Sequence, residues 1–486
     1  MAKTIYKNSK KIVGLLPKHH SKDLFWWVLL ALTSLAIAGI FAILLVLSRA
    51  PITEAKLPWP SDFFSKGLVA HVTLSFIVWF LAVFGCMMTS IISQIDNSKA
   101  NKSNTTIDII SIFLVFIGTL TLLIPPFYGS GEPSLNNYVP VIIDPVYYTG
   151  LAIFTVGILS SVVRFLMTFP QINEEMRGEA WLLLSGGILF ILGLVAVFIS
   201  GSNLKLASVD FDFNETLFWG GGHIFQVLNL SLFFSAITIL YKLIYRQQLA
   251  PTNFFVGMTS ILLVIGLINL SLYSIFDFND PQLPMAFTKM QFALGVPVVV
   301  LFSWLGFNIY KNSIPKNSHK FAFLSLSWSL SLFSIGMILA LFVDGQDTRT
   351  PAHYHAVIGG INVAFVGIFY CWIFPLIGKK LKFEKLIKAQ IILYSLGQCL
   401  FVIGMFITGT AGASRKIMGP GIELDNLFII IVTLVKDVGG GLAIIGGGLF
   451  IFLAFLSFFL KQVIANNIWA CIIRVLLRIL YHSGEM

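Results

Sequence analysis

An all-α fold, a polytopic membrane bundle of twelve transmembrane helices, is predicted by three observations. Of 486 residues, 57% are hydrophobic and 11% charged, where a soluble domain carries about 25% charged residues. Twelve apolar runs are each long enough for a membrane span, which needs about 20 residues. The basic residues between those runs fall on alternate connections, as the positive-inside rule requires.

Taken in order, residues 1–24 are basic and polar (Lys3, Lys7, Lys10, Lys11, Lys18, Lys22) and lack the apolar core of a cleavable signal, so they read as a cytoplasmic tail. Spans are expected near 25–48, 66–93, 106–127, 146–169, 179–200 and 216–244, then 253–276, 286–310, 321–343, 352–377, 387–410 and 428–460. Connections after even-numbered spans carry Lys99 and Lys102, then Lys242 and Arg246, then Lys311, Lys316 and Lys320, then Lys379, Lys380, Lys382, Lys385 and Lys388. Those after odd-numbered spans are poorer in basic residues or acidic: Glu132 and Asp144, Asp210, Asp212 and Glu215, Asp277 and Asp280. Both termini are therefore expected in the cytoplasm, residues 25–460 form one membrane domain, and 461–486 form a basic amphipathic tail. Arg474 and Arg478 lie one turn apart there, suited to the inner interface with membrane lipid. The net charge of +10 is a topology signal, and no nucleic-acid partner is expected. Cys86, Cys371, Cys399 and Cys471 sit singly in apolar runs and read as core. Gly439, Gly440, Gly441, Gly446, Gly447 and Gly448 are expected to permit close helix packing. Lys436, Asp437 and Arg164 are the main charges inside spans, and the adjacent Lys436 and Asp437 are not expected to share a helix face.

Four of the eight histidines fall within spans: His71, His223, His353 and His355. Each lies near the start of an even-numbered span, so alternating helices bring all four to one depth near the outer face. An imidazole in hydrocarbon is costly unless it is ligated or paired. His353 and His355 are two residues apart and differ by about 200° in direction on a helix, so one helix can serve two cofactors on opposite sides. A lone histidine is as often a helix–helix hydrogen-bonder as a ligand; four at one level favour metal or haem.

These residues resemble subunit I of the haem-copper oxidase superfamily, which includes cytochrome c oxidases and nitric oxide reductases. The resemblance covers nearly the whole chain. It implies that His355 and His71 hold a low-spin haem from its two faces, that His353 holds a high-spin haem, and that His223, in Trp219-Gly220-Gly221-Gly222-His223, binds a second metal. Phe302-Ser303-Trp304-Leu305 is similar to the family's eighth span. Gly409-Thr410-Ala411-Gly412-Ala413-Ser414-Arg415-Lys416 resembles the segment whose basic pair, here Arg415 and Lys416, binds haem propionates.

The sequence departs from the family at the second metal. The adjacent His-His expected in span 7 falls near Leu272-Tyr273, and span 7 has no histidine. The tyrosine that many oxidases carry four residues after the span-6 histidine is Val227 here, and a proton-uptake lysine falls near Val300. Copper or iron at His223 therefore stays open, with Tyr273 the first candidate to complete the site as a catalytic residue and Asp277 or Glu215 behind it. The acidic residues of the outer connections otherwise read as solvated. The resemblance implies a terminal-oxidase-type oxidoreductase of a bacterial inner membrane. It would take electrons from an outer-face donor, a cytochrome c or a haem- or copper-bearing subunit, and reduce O2. Nitric oxide reduction, or a haem subunit without turnover, is the alternative; a transporter ranks last.

Overall fold

The computed structural model describes residues 18–49, 63–95, 104–128, 131–204, 208–314, 319–343, 347–379, 383–416, 422–423 and 426–459. Most of the basic amino-terminal tail, the whole 461–486 tail, Lys99, Lys102, Lys316, Lys380, Lys382 and Cys471 lie outside the described residues. Twelve helices are long and apolar enough to cross a membrane. They are α1 Lys22–Leu47, α2 Phe63–Ile92, α3 Thr106–Tyr128, α4 Pro145–Gln171, α5 Glu174–Asn203 and α6 Phe211–Tyr245. The second six are α7 Thr252–Ile275, α8 Gln282–Lys311, α9 Lys320–Phe342, α10 Arg349–Leu376, α11 Glu384–Thr410 and α12 Leu427–Phe458. The twelve expected spans are all present, and the chain is a multi-pass membrane protein.

Several helices start earlier than hydrophobicity indicates, and at α6 a polar residue caps the helix outside the apolar run. Asp210 accepts a hydrogen bond from the Phe213 amide at 2.9 Å, the N-cap arrangement that satisfies a first-turn donor. It carries α6 upstream of its apolar stretch, so His223 lies three turns into the helix. Asp144 caps α4 in the same way through the Val146 amide at 2.8 Å. Between α3 and α4 a short hairpin forms, with β1 Glu132–Ser134 antiparallel to β2 Val141–Ile143.

Consecutive helices pair side by side, α3 with α4, α5 with α6, α9 with α10 and α11 with α12, and α12 returns against α1. Gly397, Gly439 and Gly446 let α11 and α12 meet backbone to backbone, since an added Cβ at each would strike main-chain atoms of the partner. Gly441, Gly447 and Gly448 face open space, so that part of the packing expectation does not hold. Lys436 and Asp437 do pair, at 3.7 Å: a long lysine stem spans the angle between neighbouring positions.

Helices α6 and α10 are the most enclosed. Along α2, α6 and α10 the helix is buried without a break over 82–93, 230–245 and 363–374. The partly accessible positions lie in the other half of each helix, the half that carries the histidines. These three helices are thus most closely packed in the half away from the histidines.

Candidate haem site

The level of the histidines follows from one cross-helix hydrogen bond. Trp79 Nε1 on α2 donates to Asn362 Oδ1 on α10 at 2.8 Å, and Trp79 also packs on Phe365 and Phe369. Asn362 in turn donates to the Tyr394 hydroxyl of α11 at 3.2 Å. His355 lies seven residues before Asn362 and His71 eight before Trp79. The two imidazoles therefore stand at matching heights, about 10 and 12 Å from that bond along two co-directional helices. Direction matches as well. Seven α-helical steps bring His355 within about 20° of the Asn362 face. Eight steps would leave His71 about 80° off Trp79, but Thr73–Val78 is π-helical. One extra residue in the turn makes the eight steps count as seven, which brings His71 onto the face of Trp79.

The ring nitrogens are set by backbone carbonyls. His71 Nδ1 lies 2.9 Å from Ala38 O of α1, and His353 Nδ1 lies 2.8 Å from Gly336 O of α9. A carbonyl only accepts, so Nδ1 carries the proton in both and Nε2 keeps its lone pair. That is the tautomer a metal-bound imidazole needs, fixed by its far-side hydrogen bond. His353 faces α9, whereas the His355 ring packs edge-on against Phe401 of α11 at 5.1 Å. The pair points to opposite sides of α10.

His223 differs. Its Nδ1 donates to Trp219 O at 2.8 Å, and its Nε2 lies 2.9 Å from the Tyr138 hydroxyl. The carbonyl forces Nε2 to accept, so Tyr138 donates to the lone pair that a metal would use. Tyr138 comes from the hairpin between α3 and α4, is held at φ +65°, and packs at a tilt against the imidazole, with ring centroids 4.7 Å apart. Burial pushes its phenol above the usual tyrosine range, so it stays a neutral donor. Tyr273 is not brought to His223: its hydroxyl bonds Ser200 Oγ at 2.7 Å, and Phe287 stands between the two rings. Asp277 is exposed. Glu215 accepts from the Asn137 amide and side chain at 2.6 and 2.5 Å, so it braces the hairpin instead of lying in solvent. Among the described residues no three His, Cys, Asp or Glu side chains gather as a metal site would need. The tautomers of His71 and His353 suit haem-iron ligation, and the described residues do not fit a three-donor second metal.

The segment after α11 docks on the start of α10: Thr348 N bonds Ala413 O at 2.9 Å and Asp347 pairs with Ser414 as a β-bridge. Arg349 hydrogen-bonds the Asp347 carboxylate and holds it below the usual range. Lys416, at φ +59°, reaches Leu135 O at 2.5 Å and Asn137 Oδ1 at 3.2 Å. Burial, with Arg415 beside it, lowers the Lys416 amine to about 8. Lys416 thus ties the hairpin to the end of the bundle that carries the histidines. Tyr138 and Asn137 were missed in the sequence because a loop tyrosine carries no periodic signal and its contacts lie some 80 residues away in the chain.

A polytopic helical bundle with imidazoles at one level is the class that fold and site define. Residues 24–436 match the family described as cytochrome c and quinol oxidase polypeptide I, and the chain belongs to that family. It is accordingly a membrane oxidoreductase of the haem-binding, respiratory electron-transport kind. An uncharacterised protein of Rickettsia prowazekii (strain Madrid E) is 25% identical over 499 residues, covering 90% of this chain and 96% of its own. An uncharacterised protein of Aquifex aeolicus (strain VF5) is 28% identical over 384 residues, 76% of this chain and 89% of its own. In fold the chain is similar to a haem-copper terminal oxidase solved as a dimer by electron microscopy, with a TM-score of 0.74 at 18% identity, over 92% of this chain and 85% of that one.

Proposed function

We propose that this chain is the haem-bearing subunit of a bacterial inner-membrane respiratory complex that accepts electrons at the histidine-bearing end and reduces O2. That end faces outward in this reading, both termini are cytoplasmic, and residues 25–460 are the membrane domain. The observation that carries it is the matched height and facing of His71 and His355 across the Trp79–Asn362 bond. His71 and His355 hold a low-spin haem and His353 a high-spin one, which when bound supply electron transfer and an open coordination face for a diatomic gas. The chain's own residues then do the rest. Gly336 and Ala38 carbonyls orient the ligating rings. Arg415 and Lys416 place positive charge for propionates. Tyr138 presents a neutral hydroxyl to His223, so that pair holds a proton near the gas-binding face. The donor is a separate outer-face protein, a cytochrome c or a subunit carrying haem or copper.

A second reading is favoured by the hydrogen-bonded state of His223 Nε2 and the absence of a three-donor group among the described residues. It takes the chain as a nitric oxide reductase with a non-standard second metal, or as a gas-binding or electron-transfer subunit without turnover. Haem and metal analysis of the purified protein, with a carbon monoxide difference spectrum after reduction, decides among these. The oxidase reading expects bound haem of two kinds, a carbon monoxide shift and O2 consumption. His71→Ala or His355→Ala should abolish the low-spin signal and keep the shift; His353→Ala should abolish the shift. Iron as a second metal, with nitric oxide consumed, selects the reductase. Haem with a shift but no consumption of either gas selects the non-catalytic reading, and a protein without haem rejects all three.

A further inference from the structure

The outward face of α12 carries one group that lipid cannot satisfy. The Asp437 side chain is 63% exposed and lies ten residues, about 15 Å, from Leu427 and 21 residues from Phe458. The hydrocarbon of a bilayer is about 30 Å thick, so the carboxylate sits well inside it. Leu434 and Val438 beside it are each 57% exposed, as lipid-facing side chains are. Among the described residues the carboxylate pairs only with Lys436, at 3.7 Å, beyond a hydrogen bond. Lys436 is turned toward α11, with its backbone and Cβ against Gly404, and is 17% exposed. An aspartate side chain is too short to reach the interface. A charge held out into hydrocarbon is costly and calls for a partner of opposite sign.

The rest of that face is shaped for a helix. Leu434, Asp437, Gly441, Ile445, Gly448 and Phe452 fall within about 80° of one another around α12. A Cβ added at Gly441 or Gly448 would meet nothing within 4 Å, so the two glycines are notches between the exposed side chains of Leu434, Ile445 and Phe452. Small residues on a membrane helix let another backbone approach closely. Gly439 and Gly446, on the opposite face, already do this for the α11 backbone. Lipid offers no cation at this depth. A second copy does not fit either: a two-fold axis along the membrane normal would set Asp437 against Asp437, like charges in a low dielectric. A helix bearing a lysine or arginine satisfies both the charge and the notches.

We propose that α12 is the docking face for one membrane-spanning helix of another subunit, seated with a lysine or arginine against Asp437 and its backbone over Gly441 and Gly448. The docked helix stands one helix away from the histidines. Gly439 of α12 meets the Phe401 amide of α11, and the Phe401 ring packs on His355. No haem ligand takes part in the contact, so it goes beyond the haem reading and stands without it.

The test replaces Ile445 of the full-length chain with the photoreactive residue p-benzoylphenylalanine, in the cells that make the protein. The membranes are irradiated and the joined peptides are sequenced by mass spectrometry. The expected product is a membrane-spanning peptide of another chain with a lysine or arginine at the depth of Asp437. Asp437→Asn should cut the cross-linking yield about tenfold, the scale of one interhelical polar contact in a bilayer. Asp437→Lys should cut it as well, and changing the basic residue of the joined helix to aspartate should then restore it. Gly441→Leu fills a notch that the fold leaves open. It should lower the yield while the thermal midpoint of the purified protein stays unchanged, and it decides the matter if Asp437→Asn does not fold. Lipid adducts alone, a second copy of this chain, a joined peptide without a basic residue, or an undiminished yield in either variant overturns the proposal.

Discussion

Tyr138 shows what a single side chain decides at this site. A buried acceptor that loses its donor costs about 1–3 kcal/mol, so Tyr138→Phe should destabilise the folded protein by roughly that much in chemical unfolding. The same variant frees His223 Nε2. A stoichiometric divalent metal that copurifies with Tyr138→Phe and not with the wild type would identify the phenol as what keeps metal off that nitrogen. Lys416 gives a pH test. Its amine titrates at about 8 in the fold and higher in the unfolded chain, so between those values the unfolded chain binds more protons and stability rises with pH. Lys416→Met should lose that rise when thermal midpoints are compared on either side of pH 8. The histidines were legible because imidazole is rare in apolar runs. Tyr138 was not, because only the folded hairpin places it.

At the scale of an element, the π-helical segment of α2 sets the phase of the site. Inserting one alanine between Val72 and Thr73 adds a helical step that the π turn does not absorb and turns His71 by about 100° relative to Trp79. The insertion should abolish the low-spin haem signal while the carbon monoxide shift through His353 survives, and Ser75→Ala should change neither. Loss of both signals would mean that α2 had been misfolded instead of rephased. The spans themselves were read correctly from hydrophobicity, since lipid exposure demands long apolar runs. Their starts were not, because Asp210 caps α6 outside the apolar run. The π turn left no trace either: Thr73–Val78 reads as ordinary helix, and its extra residue depends on packing.

At the scale of the whole molecule, a buried charge cluster lies away from the histidines. Arg164 of α4 and Asp108 of α3 form a buried ion pair near the end opposite the histidines, with the Asp23 carboxylate of α1 acting on both. Three helices from the start of the chain are thus tied by charge in a region of tight glycine packing, where Gly118 and Gly157 bring α3 and α4 together. A buried pair adds little net stability over an apolar replacement, but breaking one partner strands the other at about 3–5 kcal/mol. Arg164→Met should therefore lower the unfolding free energy by roughly that amount, while Arg164→Met with Asp108→Asn should recover most of it. Haem content in the surviving folded fraction should match the wild type in both, because the pair lies far from the histidines. If the double variant is as unstable as the single one, Asp23 and not Asp108 is the charge that Arg164 chiefly compensates.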